Sequence, residues 1–248
     1  VIDHWTHAPA ARLLVQSSQL NVETLQPVPS SLDSHADDTG QTAWWRDATV
    51  DATLFIDHLY HRKLFVTGLS CHIGWAHGAL TVDRVSGDTD DGHVAGRVVL
   101  RHEGPRSAQV RTEFRVGGMS VERLLGLATD RPVLTGWLTT SGKVQGEFVQ
   151  TAPQLKSLTS RRPIQVLVED GRILDFPVIT KLLYVMNLPV LLMGEVNFEE
   201  RGLSFRRLKI VAGVDHGIVV VKQFLLDSPV LKLSGIGKYD LMADEFDM

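Results

Sequence analysis

Alternation of apolar and polar residues with a period of two runs through much of this chain and limits its fold more than any other feature. The clearest case spans residues 109–116, where Val110, Thr112, Phe114 and Val116 alternate with Gln109, Arg111, Glu113 and Arg115. Similar runs lie at residues 48–56, 80–83 and 94–100. Successive side chains of a strand point to opposite faces, so the pattern predicts strands with one apolar and one wet face. Such strands are typical of antiparallel sheets, and the chain is predicted to be mainly β.

Turn signals between these runs predict a meander of successive strands. Further strand-like runs are Leu134–Thr140, Ile164–Glu169, Leu208–Val211, Ile218–Phe224 and Val230–Leu233. The turn signals are Asp91-Gly92, Gly104-Pro105, Gly117-Gly118, Asp170-Gly171 and His216-Gly217. A weak repeat, in which an acidic residue or His precedes Gly and an apolar strand, has irregular spacing. This favours strands of one sheet over a solenoid, and residues 1–248 are expected to form a single domain.

Helical signals are few. Residues 120–127 predict a short helix with Ser120 as its N-cap, and residues 153–158 predict a further helical turn. The most apolar stretch, FPVITKLLYVMNLPVLLMG at residues 176–194, predicts a helix of about 11 residues that begins at Pro177 and ends before Pro189. At 1.5 Å per residue it is about 16 Å long, too short to cross a bilayer core of about 30 Å.

The predicted helix at residues 178–186 has an apolar face far wider than half of its surface. Its apolar residues are Val178, Ile179, Leu182, Leu183, Val185 and Met186. Most of such a surface must be covered. Two interpretations stay open: the helix packs on the sheet as a core helix or end plug, or it lies along a lipid-holding surface or a membrane interface.

Composition and motifs exclude several classes of function. The 248 residues are 44% hydrophobic and 22% charged, and the net charge of −4 indicates a soluble, globular chain that does not bind nucleic acid. Cys71 is predicted to be a small buried side chain, with His72 on the wet face. No histidine pair has metal-ligand spacing, and SGIGKYD at residues 234–240 predicts a Gly-rich strand rather than a phosphate loop. We therefore expect no enzyme activity, no metal and no cofactor.

Short motifs in a fixed order carry a family resemblance. They are DRPVLTGWLTTSGKVQGEF at residues 130–148, Asp170-Gly171, Met186-Asn187-Leu188-Pro189, Gly202-Leu203-Ser204-Phe205, Leu226-Asp227-Ser228-Pro229 and Gly235-Ile236-Gly237. In this order they resemble the C-terminal region of AsmA-like proteins of the YhdP and TamB types, so that residues 130–248 contain the signature. Residues 42–116 are similar to the short upstream strands of the family. One departure is His216, which stands before Gly217 where the family has Asp.

The resemblance implies a periplasmic protein of Gram-negative bacteria. The chain would be a fragment of a larger protein, and an anchor outside the chain would hold that protein at the inner membrane. Its fold would be a long, curved, taco-like antiparallel sheet with an apolar groove and a few short helices. Such proteins are linked to phospholipid movement between the inner and outer membranes and to outer-membrane integrity. The implied partners are phospholipid, both membrane surfaces and other envelope proteins, and the family offers no catalytic residues.

A one-sided sheet of this length must cover its apolar face, and helical sequence to cover it is scarce. Either the sheet curls into an open groove that acyl chains occupy, or it closes into a sandwich or barrel with an ordinary core. The predicted groove residues are Leu54, Ile56, Leu80, Val82, Val98, Leu100, Val110, Phe114, Ile164 and Val166, and the helix at residues 178–186 would plug or gate one end. Two non-enzymatic functions stay open: lipid transport, and a scaffold that assembles outer-membrane proteins through free strand edges. A third alternative is a hydrolase with an unrecognised site, which only activity screening would detect.

Overall fold

The chain is mainly β, as predicted, and its described strands form one open, curled sheet. The computed structural model describes residues 10–24, 48–62, 64–89, 92–104, 107–127, 133–149, 152–174, 202–243 and 245–247. Within these ranges twelve strands lie side by side in sequence order. They are β1 (Ala10–Asn21), β2 (Thr49–His61), β3 (Leu64–Ala76), β4 (Ala79–Thr89), β5 (Gly92–Gly104), β6 (Ser107–Ser120), β7 (Leu134–Val149), β8 (Ala152–Ile173), β9 (Leu203–Asp215), β10 (Ile218–Asp227), β11 (Lys232–Asp240) and β12 (Glu245–Asp247).

The prediction of an entirely antiparallel sheet is wrong at one edge. Strands β2 to β12 pair antiparallel with their neighbours, but β1 runs parallel to β2, with Ala10 opposite Thr49. A parallel neighbour needs a crossover connection rather than a tight turn, and the chain leaves β1 through a short 3-10 helix, η1 (Val22–Thr24). Alternation does not reveal β1, because its apolar residues Leu13 to Val15 are consecutive and exposed.

Only some of the predicted turn signals lie where the chain reverses. His216 and Gly217 form the turn between β9 and β10, and Gly92 and Gly104 are the first and last residues of β5. The signals at 117–118 and 170–171 are wrong as turns, because both lie inside strands. At each of them the pairing register shifts or skips a position, as at a β-bulge.

Asp170 changes the facing of β8 instead of ending the strand. Its φ of 49° is left-handed. The buried positions of β8 step from Val168 to Gly171, while those of the paired strand β9 step from Leu208 to Phe205. Both strands skip one position in their alternation at paired residues. The buried side chains before and after this point therefore lie on the same face and pack into one core cluster.

The helical predictions have three different outcomes. The short helix is confirmed as α1 (Val121–Leu125), and the Ser120 side chain accepts a hydrogen bond from the backbone N–H of Arg123. The helical turn predicted at 153–158 is wrong, because these residues belong to the 22-residue strand β8. The predicted helix at 178–186 lies outside the described residues. Within the described ranges, no helix has the length and apolar content that crossing a membrane requires.

A core cluster lies at the end of the sheet where α1 packs. Its buried members are Val121, Val168, Ile173, Leu203, Phe205, Leu208, Leu226 and Leu233. Four of them come from one row across the sheet, in which Val168, Leu208, Leu226 and Leu233 lie opposite one another on β8 to β11. Leu226 has no exposed surface, and full burial of such a side chain stabilises the fold by about 1.5–3 kcal/mol. The sheet is therefore anchored at this end by ordinary hydrophobic packing.

Candidate functional site

The strand register places all ten predicted groove residues on one face of the sheet, here called the apolar face. Residues that lie directly opposite each other on paired strands share a face. One row contains Val50, Trp75, Leu80, Leu100 and Val110, and the next contains Ala52, Ile73, Val82, Val98 and Thr112. Leu54 and Ile56 continue this face along β2, Phe114 continues it along β6, and Ile164 and Val166 continue it on β8.

Phe114 and Ile164 meet over a glycine in the middle of the apolar face. Gly142 of β7 lies directly opposite Phe114. A Cβ atom at Gly142 would lie 2.9 Å from Phe114 Cζ and 3.0 Å from Ile164 Cγ1. The Phe114 ring therefore uses the space of the missing side chain and links β6 to β8 across β7.

Most of the apolar face is only partly covered by the described residues. Nine of the ten predicted groove residues are half-buried, and the exception is Ile56, which is 2% exposed. The strands make their main contacts with their neighbours in the sheet, whereas α1 packs on β6 and β7. The part of the face away from α1 thus differs from the core cluster, where Val168 and Leu226 are 2% and 0% exposed.

One contact between distant strands brings the end of β2 close to the end of α1. The Arg62 guanidinium, just after β2, donates to the carbonyl oxygen of Leu127, just after α1. The backbone N–H of Arg62 donates to the Glu23 carboxylate at 2.7 Å. Glu23 follows the neighbouring strand β1, but strands β3 to β6 lie between Arg62 and Leu127 in sheet order, so the Arg62–Leu127 contact shows that the sheet curls. The α1 end of the apolar face is therefore the more enclosed end.

Cys71 and His72 occupy the opposite faces that alternation predicts. Cys71 is 8% exposed, and its burial raises the pKa of the thiol, as for an inert small side chain. His72 lies between two carboxylates on the polar face, with Nε2 3.3 Å from Asp51 Oδ1 and Nδ1 3.1 Å from Asp83 Oδ1. Both the buried cysteine and the wet-face histidine are confirmed.

Charged side chains dominate the polar face around β6. Lys143 Nζ lies 2.5 Å from Glu113 Oε2. The hydrogen bond from Lys143 holds the pKa of the Glu113 carboxyl below its ordinary value, and the positive charges of Lys143, Arg162 and Arg115 act in the same direction. In the part of the chain that the structure describes, no group of three His, Cys, Asp or Glu side chains could hold a metal ion.

The remaining predicted site residues lie outside the described ranges. They are Val178, Ile179, Leu182, Leu183, Val185 and Met186 of the predicted amphipathic helix. The end-plug and lipid-surface interpretations of that helix therefore both stay predictions. Among the described elements, α1 packs over one end of the apolar face.

Comparison of the chain with models of protein families, with curated proteins and with solved structures finds no match. The resemblance to AsmA-like proteins thus stays a prediction carried by the sequence motifs. Functional inference rests on the residues and on the geometry of the sheet.

Proposed function

We propose that this chain transports phospholipid without catalysing a reaction, by holding acyl chains against the apolar face of its curled sheet. One observation carries the proposal: the half-buried apolar side chains of β2 to β8 share a single face, and the described strands form a single layer. Apolar surface arranged in this way is stabilised when another apolar group removes it from water.

The size of the expected gain agrees with reversible binding. Burial of apolar groups contributes about 0.8 kcal/mol per CH₂ group, so about ten sheltered methylenes contribute roughly 8 kcal/mol. This gain is measured against water. Acyl chains in a bilayer are already removed from water, so their exchange between the bilayer and the protein is close to balanced. Acyl chains held in this way bind without a polar headgroup site on the same face, and they can still leave.

The cellular setting of the proposal rests on the sequence motifs. The order from Asp170-Gly171 through Leu226-Asp227-Ser228-Pro229 to Gly235-Ile236-Gly237 resembles AsmA-like proteins. We therefore place the function in the periplasm, with an inner-membrane anchor outside this chain. There the lipid would pass between the inner and outer membranes and support outer-membrane integrity, in contact with both membrane surfaces and envelope proteins.

A matched pair of substitutions on β5 tests which face holds the lipid. Val98 lies on the apolar face opposite Val82, whereas its neighbour Val99 lies on the polar face opposite Arg111, and both are half-buried. Val98→Asp would place a carboxylate against acyl chains at a desolvation cost of several kcal/mol. Extraction of fluorescent phospholipid from vesicles should fall by about 100-fold or more, and Val99→Asp should change it by less than about twofold.

The thermal unfolding of both variants is the control for folding. Equal extraction by two folded variants would contradict the proposal, because binding would then not depend on the apolar face. Failure of the wild-type chain to extract any phospholipid would also contradict it.

One observation favours the second function, a scaffold for outer-membrane proteins. Among the described strands β1 pairs on one side only, and its residues Leu13, Leu14 and Val15 are 50%, 67% and 45% exposed. An edge strand with unpaired backbone groups and exposed apolar side chains can pair with a strand of another chain. Hydrogen exchange with an unfolded β-barrel client would show new protection of the β1 amides under this hypothesis. Unchanged exchange of β1 would count against it.

A further inference from the structure

A concavity on the polar face gathers basic side chains that are distant in sequence. It has a volume of about 500 Å³ and is lined by residues of β4 to β8. Its charged lining residues are Arg84, Arg97, Glu113, Arg115, Lys143 and Arg162. Five basic groups thus surround one acidic group in a chain whose net charge is −4. The local excess of positive charge runs against the charge of the whole chain.

The strand register explains why these side chains converge. Arg97, Glu113, Lys143 and Arg162 lie opposite one another in one row across β5 to β8. In the adjacent row Arg115 lies opposite Ser141, which lies opposite Gln165. Four neighbouring strands therefore present guanidinium, ammonium, hydroxyl and amide donors to one space.

The charges inside the concavity do not cancel. Lys143 pairs with Glu113 at 2.5 Å and neutralises it. Arg84 has a carboxylate neighbour in Asp83, at 3.7 Å. In the described part of the chain no ion pair or hydrogen bond engages the guanidinium groups of Arg97, Arg115 and Arg162. Three exposed guanidinium groups thus keep their donors available for a ligand.

This donor set suits one ligand chemistry. Guanidinium groups bind phosphate oxygens through paired, charge-assisted hydrogen bonds. Ser141 and Gln165 can add neutral hydrogen bonds at the rim. A volume of about 500 Å³ falls in the range of small-ligand sites and accepts a phosphate with a glycerol-sized group attached.

We propose that Arg97, Arg115 and Arg162 bind a phosphate group, as a phosphomonoester or phosphodiester, in the concavity between β4 and β8. Glu113 and Lys143 form the fixed ion pair at its centre, and Glu113 keeps Lys143 oriented. The site lies on the face opposite the proposed acyl-binding surface, so each of the two proposals can fail while the other holds.

A matched pair of arginine substitutions tests the site. Arg97 and Arg101 are exposed residues on the same face of β5, but only Arg97 lines the concavity. Arg97→Gln and Arg101→Gln remove the same charge. Calorimetry at low ionic strength measures the affinity for glycerol 3-phosphate. The affinity should fall on the order of tenfold for Arg97→Gln and less than about twofold for Arg101→Gln.

A second arm separates the two sources of phosphate. Flotation with vesicles that contain phosphatidylglycerol, compared with phosphatidylcholine vesicles, asks whether the phosphate belongs to a lipid headgroup. Sensitivity to Arg97→Gln in the vesicle arm supports a headgroup ligand, and sensitivity in the glycerol 3-phosphate arm alone supports a soluble phosphate ester. Equal losses for both variants would overturn the proposal, because binding would then follow net charge. Absence of binding in both arms would overturn it as well.

Discussion

The sharpest stability prediction compares two leucines that lie in different parts of the sheet. Leu226 has no exposed surface and lies between Leu208 and Leu233 in the core cluster. Leu100 is half-buried on the part of the apolar face away from α1. The same substitution, Leu→Ala, removes the same atoms at both positions, so the difference in cost measures how tightly each site is packed.

Loss of a fully buried leucine leaves a cavity and costs about 3–5 kcal/mol. At Leu100 only the partial burial is lost, which at about 0.8 kcal/mol per CH₂ amounts to about 1 kcal/mol. For a chain of this length each kcal/mol lowers the melting temperature by about 2–4 °C. Thermal unfolding followed by circular dichroism should therefore show a decrease of about 6–20 °C for Leu226→Ala and about 2–4 °C for Leu100→Ala.

The comparison can refute the reasoning directly. Equal costs for the two variants in lipid-free protein would mean that Leu100 is packed as tightly as the core. The apolar face would then have no surface to offer an acyl chain. A small cost for Leu226→Ala would contradict the description of the core cluster at the α1 end.

Three further predictions follow from particular contacts. Gly171→Ala should destabilise the chain by more than 2 kcal/mol in urea unfolding, because a Cβ there would lie 2.5 Å from Phe205 Cζ. Cys71 should react with a thiol reagent far more slowly in the folded chain than in urea, because its burial raises its pKa and limits access. The pKa of Glu113 is lowered, so its ion pair with Lys143 should stabilise the fold at pH values above the ordinary carboxyl pKa. This stabilisation should be lost as the pH falls through the lower pKa that Glu113 has in the folded chain. Lys143→Gln should raise the pKa of the Glu113 carboxyl in an NMR titration, and an unchanged pKa would contradict the pairing.

Local sequence was sufficient where each strand has one apolar and one wet face. Strand β6 follows the alternation from Gln109 to Val116, and Ser120 caps α1 as its side-chain chemistry predicts. The sequence pattern did not predict strand β1, because its apolar residues Leu13, Leu14 and Val15 are consecutive and do not alternate with polar residues. All three are exposed in the structure. Its parallel pairing with β2 also depends on a partner far along the chain.

Other features depend on pairing that no local pattern encodes. Asp170-Gly171 has the residues of a turn, but a left-handed Asp170 can also change the phase of a continuing strand, and the paired step in β9 decides between the two. The concavity on the polar face gathers Arg97, Arg115 and Arg162 from three different strands. Each arginine alone predicts only a solvated strand face, and the register across β5 to β8 makes the cluster.

Tryptophan quenching by phospholipids with brominated acyl chains tests the central claim most directly. Trp75 lies on the apolar face between Val50 and Leu80, whereas Trp137 lies on the polar face opposite Glu169 and is 46% exposed. Two variants that each keep one of these tryptophans, with the other four replaced by Phe, report on the two faces separately. The account predicts strong quenching of Trp75 and little quenching of Trp137. Quenching of Trp137 alone, or equal quenching of both, would contradict it.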